Sequence, residues 1–426
     1  MKLVASWILG ICFSLLAARF LAAQEQPPET LPQSLASLVA EAEHSNPQIQ
    51  AARQAWDAAK QAPTQVSTLP DPQVMVQQFS VGSPRPFAGY TNSDFAYIGL
   101  GFSQDIPYPG KLRLRGEIAK KDAEGVQQDY EAVRRSVLRQ LKETYYQLAF
   151  LAKKETILES DRALLDQVEQ SADAHYRTGS GSQQEVLRAQ LERTKLLREI
   201  TENQLQAGKT QAQLKELLNR PQSSTDIRCV PLAQTALPYT YGQLLEAAQA
   251  NNPQIAGMEK TVERQNLQID LAKKDFYPDF NVQYMWQRTD PSRFRAYYML
   301  TFGMRIPIYR SRKQKPELAQ AELEKTRAQS AYEAKSQQVA SVLRQQLVVA
   351  EKSAELLKIY SDGLMPQARA ELQAGMAAYQ SNREDFQALL ASFLDVLKLD
   401  EEYWQTTSDR ESALAQIEEL TGLTLR

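Results

Sequence analysis

The feature that most constrains the fold is one long, uninterrupted helical pattern. From Val126 to Thr178 the sequence contains neither glycine nor proline and is rich in Gln, Glu, Lys, Arg, Leu and Ala. A helix of this length would extend about 75 Å or more, far beyond the usual 11–12 residues or so of a globular helix. Its apolar stripe is narrow, so other helices must cover it, which predicts a coiled-coil-like bundle. The stripe consists of Tyr130, Val133, Val137, Leu141, Tyr145, Leu148, Ile157, Leu158, Leu164, Leu165, Val168, Ala172 and Tyr176.

A glycine-rich turn follows this pattern and leads into a second helix. The turn is Gly179-Ser180-Gly181-Ser182, and the periodic run after it extends from about Gln183 to Leu218. We therefore predict a long helical hairpin over residues 111–218. A second hairpin is predicted over residues 316–422, with a break at Gly363-Leu364-Met365-Pro366 where proline suits the first turn of a new helix.

The apolar period changes from 3.6 to 2 ahead of each hairpin. Alternating apolar and polar residues predict four strands, at about residues 72–80, 94–106, 279–288 and 295–306. One face of these strands is apolar, and the other carries glycine or polar residues. Each strand has about the length that crosses a bilayer obliquely.

The second half of the sequence repeats the plan of the first. Asn252-Pro253-Gln254-Ile255 restates Asn46-Pro47-Gln48-Ile49, and Ile306-Pro307 closes a strand as Ile106-Pro107 does. The offset stays near 200 residues or so, which indicates a tandem duplication. We assign the first repeat to residues 24–225, a linker to 226–239 and the second repeat to 240–426.

The N-terminus predicts export. Lys2, an apolar run over residues 3–16 and the small residues Ala22-Ala23 form the pattern of a signal peptide, assigned to residues 1–23. An uncleaved anchor is the weaker alternative because the run is too short to span a bilayer. The exported chain keeps Cys229, which excludes an intrachain disulfide. A net charge of −2 excludes the basic footprint of a nucleic-acid binder.

Four strands are too few to close a membrane barrel, for which about eight is the minimum. The chain therefore either shares a barrel with other copies or folds its strands into an ordinary soluble sheet. The export signal, the matched strands and the polar or glycine faces favour the shared barrel. On that interpretation the lipid-facing side chains are Ile98, Leu100, Phe102, Val282, Tyr284, Trp286, Leu300 and Phe302.

At this point the chain resembles the TolC-type outer-membrane efflux proteins of Gram-negative bacteria, and most of all their heavy-metal-efflux branch. The hairpin turn from Tyr176 to Gln190 carries the strongest match, with its aromatic, glycine, hydroxyl and Ala-Gln positions. The second turn, Tyr379 to Leu390, is similar to the divergent form of that branch. Pro70-Asp71-Pro72 and the stretch from Ile106 to Lys111 add to the resemblance, which covers essentially the whole exported chain.

The resemblance implies a homotrimer in the outer membrane that extends into the periplasm. Three chains would supply a 12-stranded transmembrane β-barrel, and their antiparallel hairpins would form an α-barrel tunnel. Implied partners are a periplasmic adaptor (membrane fusion) protein, an inner-membrane pump of the resistance-nodulation-division type and outer-membrane lipid. Implied function is a passive exit duct for small solutes or metal ions, without catalytic residues, cofactors or bound metals.

The resemblance also assigns two groups of site residues. The tips that would dock the adaptor are Tyr176, Thr178, Gly179, Ser182, Tyr379, Ser381, Asn382 and Arg383. Plain turn chemistry explains the same residues, since glycine ends one helix and a hydroxyl caps the next. The candidate periplasmic aperture consists of Glu384, Asp385, Ala391 and Asp395. Here the chain departs from the family, because Asn382 replaces a usual glycine and Ala391 a frequent aspartate.

Helical spacing separates the aperture residues from a packed stripe. That stripe consists of Phe386, Leu390, Phe393 and Leu397, and Asp395 faces away from it. Three copies of Asp395 would form an acidic ring that favours cations, and a solvated surface acid is the alternative.

Two other classes of function compete with the duct. An exported soluble coiled-coil scaffold or adhesin would share the helices but have no channel. An exported hydrolase lacks support, since His44 and His175 are the chain's histidines and make no ligand cluster or catalytic triad. The strand methionines, Met75 among them, are interpreted as packing residues rather than as a copper path.

Overall fold

The computed structural model describes residues 32–79, 97–288, 296–381, 383 and 385–425. The predicted fold class is confirmed, because the chain is mainly helical, with a small sheet and two tandem repeats. The elements in chain order are α1 Leu35–Ser45, α2 Pro47–Ala59, α3 Ala62–Ser67, β1 Gln73–Phe79, β2 Tyr97–Ile106, α4 Lys111–Arg177, α5 Gln183–Leu217, α6 Tyr241–Asn251, α7 Pro253–Lys274, β3 Asp279–Arg288, β4 Tyr297–Arg305, α8 Gln314–Ile359, α9 Met365–Gln380 and α10 Phe386–Thr421.

Helix α4 is the longest element, with 67 residues, and so extends about 100 Å. It packs against α5, α7 and α10, which cover the apolar stripe read from the sequence. Gly116 lets α3 approach it closely, because a Cβ at Gly116 would lie 2.9 Å from the Ser67 Cβ. Among the described helices, none combines the length and apolarity needed to span a membrane.

The four strands form one antiparallel sheet in the order β1-β2-β3-β4. Its register aligns Met75, Gly101, Met285 and Met299 in one row across the sheet. The Met75 and Met285 side chains lie over Gly101, since a Cβ there would come 2.7 Å from the Met75 Cγ and 3.1 Å from the Met285 Cε. The glycine in this strand therefore makes room for methionines that pack on one face.

The opposite face of the sheet is apolar and open. Phe102 lies beside Tyr284, and Tyr284 beside Leu300, so the apolar residues of neighbouring strands share this face. Leu100 is 52% exposed and Phe302 is 74% exposed. The remaining predicted members of this face are half-buried or exposed, namely Ile98, Val282 and Trp286. Burying so large an apolar surface requires lipid or protein outside the chain.

Three clusters of buried side chains hold the helices together. Helix α10 contributes to each of them: Ala415 to the first, Phe386 and Phe393 to the second, and Leu414 and Ile417 to the third. The first cluster joins α1, α4 and α5, and the third joins α6 and α8, so each repeat has a matching core. Helix α10 therefore ties the two repeats into one structure.

The duplication extends to individual hydrogen bonds. The buried Asn46 accepts from the backbone of Gln48 and Ile49 and donates to the Leu217 carbonyl at 2.8 Å. In the second repeat Asn252 makes the same bonds and donates to the Leu420 carbonyl at 3.1 Å. Each asparagine thus begins one helix of its repeat and anchors it to the end of that repeat's last helix.

The predicted break in the second hairpin is a π-helical turn rather than a loop, so the helical path continues through it, and Pro366 lies in the first turn of α9 as predicted. A π-helical turn, Tyr360–Leu364, joins α8 to α9, and the Met365 N–H donates to the Tyr360 carbonyl. The reason is Pro366, which lacks an N–H and would clash with the preceding turn of a regular helix. A π turn shifts the hydrogen-bond register by one residue and absorbs this defect without ending the helix.

Candidate functional site

The first hairpin turns between α4 and α5, where the backbone bonds fold back onto His175. The N–H groups of Ser180 and Gly181 donate to the His175 carbonyl at 2.9 and 3.0 Å. The Thr178 hydroxyl donates to the same carbonyl at 3.0 Å. Gly179 has a φ of +76°, a left-handed conformation that favours glycine. These residues satisfy the orphan carbonyls at the end of α4.

A capping box then begins α5. The Glu185 Oε1 accepts from the Ser182 N–H and from the Ser182 hydroxyl, both at 3.0 Å. The spacing Ser-x-x-Glu is the sequence signature of this cap. Ser182 is among the predicted tip residues and Glu185 is not, although this signature identifies Glu185 from the sequence.

Tyr379 joins the two hairpins at this end of the molecule. Its hydroxyl donates to the Glu185 Oε2 at 3.1 Å, and its ring lies 4.7 Å from the His175 ring and 5.8 Å from the Phe386 ring. Burial raises the pKa of Tyr379, and the Glu185 carboxylate raises it further. The phenol therefore stays protonated and serves as the donor. The side chain is 4% exposed, so its place is between the hairpins.

The second turn has its own hydrogen bonds between α9 and α10. The Ser381 hydroxyl donates to the carbonyls of Ala377 and Ala378, both at 3.0 Å, and the Arg383 N–H donates to Ala378 at 2.9 Å. Asp385 precedes α10 as its N-cap residue. The predicted site residues Asn382 and Glu384 lie outside the described residues.

Two aperture residues line a groove between the tips. Asp385 and Ala391 meet Ser182 and Glu185 around a groove of about 410 Å³. Asp395 is exposed farther along α10 and is not among the residues that line it. The expected packed stripe is observed, since Phe386, Leu390 and Phe393 are buried and Leu397 is half-buried.

The exposed tip residues form the outer surface of this site. Tyr176 is 47% exposed, and Thr178, Gly179, Ser381 and Arg383 are exposed beside it. The structure thus separates the predicted tip residues into an outer set and the interior Tyr379. Within the described residues, no three His, Cys, Asp or Glu side chains are arranged to hold a metal ion.

A buried carboxyl lies on α4 about three-quarters of the way toward the tip, and it is not among the residues predicted from the sequence. Asp161 is 9% exposed, and its Oδ2 has no hydrogen-bond partner in the described structure. Burial raises its pKa from 3.8 to about 6, and the charge of Asp400 acts in the same direction. Asp400 accepts a 2.7 Å hydrogen bond from Arg369, beside a groove of about 640 Å³ at the level of the π turn.

Two helical hairpins linked at their tips, with a sheet that exposes an apolar face, define the subunit of a membrane-inserted helical channel. The family model described as outer membrane efflux protein matches residues 38–220 and 244–423. The chain belongs to this family. The expected family and its outer-membrane localisation are confirmed, whereas the narrower heavy-metal branch stays a prediction.

Solved structures with the same fold agree with this membership. The outer-membrane channel OprN superposes with a TM-score of 0.79 at 18% identity, over 91% of this chain and 89% of that one. VceC from Vibrio cholerae gives 0.78 at 15% identity, over 92% and 97%, and CusC gives 0.79 at 17%, over 92% of each chain. At these identities the likeness concerns the fold. No curated protein matches the chain in sequence.

Proposed function

We propose that the protein is the outer-membrane exit duct of a tripartite efflux system, a passive trimeric channel-tunnel for small solutes or metal ions. One observation carries the proposal: the efflux fold ends in a four-stranded sheet with an open apolar face. Four strands do not close a barrel, and three copies supply twelve, within the range of known membrane barrels. The apolar face would then meet lipid.

The hairpins supply the periplasmic part of the duct. Helix α4 alone is long enough to carry the tips about 100 Å from the sheet. The proposed docking surface for a periplasmic adaptor is formed by Tyr176, Thr178, Gly179, Ser182, Ser381, Asn382 and Arg383. The adaptor would connect the duct to an inner-membrane pump, for which the resistance-nodulation-division type is proposed.

The two hairpins are linked at their tips in this structure, and this arrangement is proposed to be the closed, resting state of the duct. Tyr379 holds the two hairpins together through Glu185, and Asp385 and Ala391 line the groove beside that bond. Release of this link would let the hairpins separate and widen the periplasmic end. No covalent chemistry is needed, because the pump would supply the work of transport.

The experiment that tests the proposal is migration of membrane-extracted protein on a denaturing gel. A trimer that resists detergent and dissociates on heating is expected, together with channel activity in planar bilayers. A monomer extracted without detergent would contradict the duct and favour the exported soluble scaffold. Cargo is tested by accumulation assays in cells that lack the protein, with metal ions and organic compounds compared side by side.

A further inference from the structure

The internal duplication provides a template for contacts that one chain cannot make by itself. Asn46 and Asn252 show that polar contacts recur atom for atom between the repeats. A contact that joins the end of the first repeat's strand pair to the start of the second repeat's therefore indicates a counterpart that joins the end of the second to the start of the first. One such contact joins the end of β2 to the start of β3.

This junction, which we call the strand seam, is built around Asp279. The Asp279 Oδ1 accepts from the Tyr108 N–H at 2.8 Å and from the Lys111 Nζ at 2.9 Å. Lys111 is 3% exposed and also pairs with Asp275 at 2.9 Å. The Tyr108 ring stacks on the Tyr277 ring at 4.6 Å. The seam thus combines a buried lysine, paired with two half-buried carboxylates, with an aromatic contact, where β2 passes into α4.

Both sides of the strand seam have counterparts in the other repeat. Ile306-Pro307-Ile308 lies at the end of β4 as Ile106-Pro107-Tyr108 lies at the end of β2, and Leu69-Pro70-Asp71 leads into β1 as Tyr277-Pro278-Asp279 leads into β3. The sheet order places β1 and β4 at opposite edges of one chain. The counterparts can therefore form a second seam when β1 of another copy lies beside β4.

The charges and exposures of these counterparts fit each other. After Ile308 come Arg310, Arg312 and Lys313, all of them exposed. Ile308 is 79% exposed and Leu69 is 48% exposed. The segment after β4 is cationic and carries an exposed apolar residue, Ile308. The segment before β1 offers the exposed carboxylate of Asp71 beside an exposed apolar residue of its own, Leu69.

We propose that the loop after β4 binds Asp71 of a neighbouring copy, in a second strand seam that joins the protomers. The Ile308 N–H donates to Asp71 as the Tyr108 N–H donates to Asp279. The cationic side chains of Arg310, Arg312 and Lys313 take the role of Lys111. Leu69 packs on Ile308 as Tyr277 packs on Tyr108. This inference rests on the proposed trimer, and it states which residues hold one protomer to the next.

Engineered cysteines test the second seam directly. In a chain with Cys12 and Cys229 replaced by serine, Asp71→Cys and Ile308→Cys are combined and the membranes are treated with a short thiol cross-linker. Covalent dimers and trimers are expected on a non-reducing, fully denaturing gel. The matched control combines Tyr108→Cys with Asp279→Cys, which should react within one chain and leave it a monomer on that gel.

Charge reversal gives a second readout. Asp71→Lys should lower the temperature at which the trimer dissociates, whereas Asp57→Lys, at another exposed aspartate of the same repeat, should not. Absence of covalent oligomers together with an unchanged dissociation temperature would overturn the second seam, even if the native protein migrates as a trimer. A native protein that never forms a trimer would instead overturn the proposed function.

Discussion

At the scale of single residues, the hydroxyl of Tyr379 links the two hairpins at the tip. Tyr379→Phe removes the bond to Glu185 and keeps the ring contacts with His175 and Phe386. A hydrogen bond to a charged group contributes about 1.5–3 kcal/mol. The free energy that stabilises the linked hairpins should therefore fall by about this amount in the variant. We expect a higher open probability or conductance in planar lipid bilayers.

Tyr176→Phe is the matched control for this prediction. Tyr176 lies on the same tip and is 47% exposed, so removal of its hydroxyl should leave the closed state unchanged. If Tyr379→Phe and the native protein conduct alike, the bond to Glu185 does not hold the duct closed.

Asp161 makes stability depend on pH. The folded protein retains the Asp161 proton up to about pH 6, whereas an unperturbed carboxyl releases it near 3.8. The folded state therefore gains stability from this group as pH falls between those values and loses it as pH rises through 6. Asp161→Asn removes the ionising group. We therefore expect the free energy of unfolding at pH 7.5 to rise by about 1–3 kcal/mol, which raises the melting temperature.

The measurement is thermal unfolding of detergent-solubilised protein at pH 5 and pH 7.5. The gain from Asp161→Asn should shrink at pH 5, where the native carboxyl is already protonated. Asp129→Asn, at an exposed position of the same helix, should leave the melting temperature unchanged at both pH values. An equal gain at both pH values would show that ionisation of Asp161 is not the cause.

At the scale of elements, the turn between α4 and α5 depends on one glycine. Gly179→Ala places a Cβ on a residue with a φ of +76°, which costs about 1–2 kcal/mol. Gly208→Ala is the opposite case, because its site within α5 is open and alanine favours a helix by about 1 kcal/mol. Unfolding in detergent should show a loss for the first change and a gain for the second; two losses would contradict this account.

Helices and strands could be predicted from the sequence wherever the spacing of apolar residues determines them. The strands β3 and β4 and the hairpin turn at Gly179 follow from period 2, period 3.6 and glycine placement. The π turn was not predictable, since Pro366 signals either a new helix or a distorted one, and packing of α8 and α9 against α10 decides between them. Tyr379 and Glu185 meet because two hairpins pack together, which no local pattern encodes.

At the scale of the whole molecule, the duplication was visible in the sequence but its consequences were not. Repeated Asn-Pro-Gln-Ile segments predicted two similar halves, and the structure adds that α10 contributes to all three buried clusters. Asp161 illustrates the limit, because Asp400 and Arg369 of the second repeat act on its pKa. Long-range packing therefore determines the charge environment that short motifs leave open.

The assembled duct should carry a charge ring at its periplasmic end. Asp395 is exposed on α10, on the side away from the buried Phe386, Leu390 and Phe393. If that side lines the lumen, three copies place three carboxylates around the opening, and such rings favour cations. Asp395→Ala should then lower the cation-to-anion permeability ratio, measured from reversal potentials across a salt gradient. Asp57→Ala serves as control, and unchanged selectivity for Asp395→Ala would place this carboxylate on the outer surface.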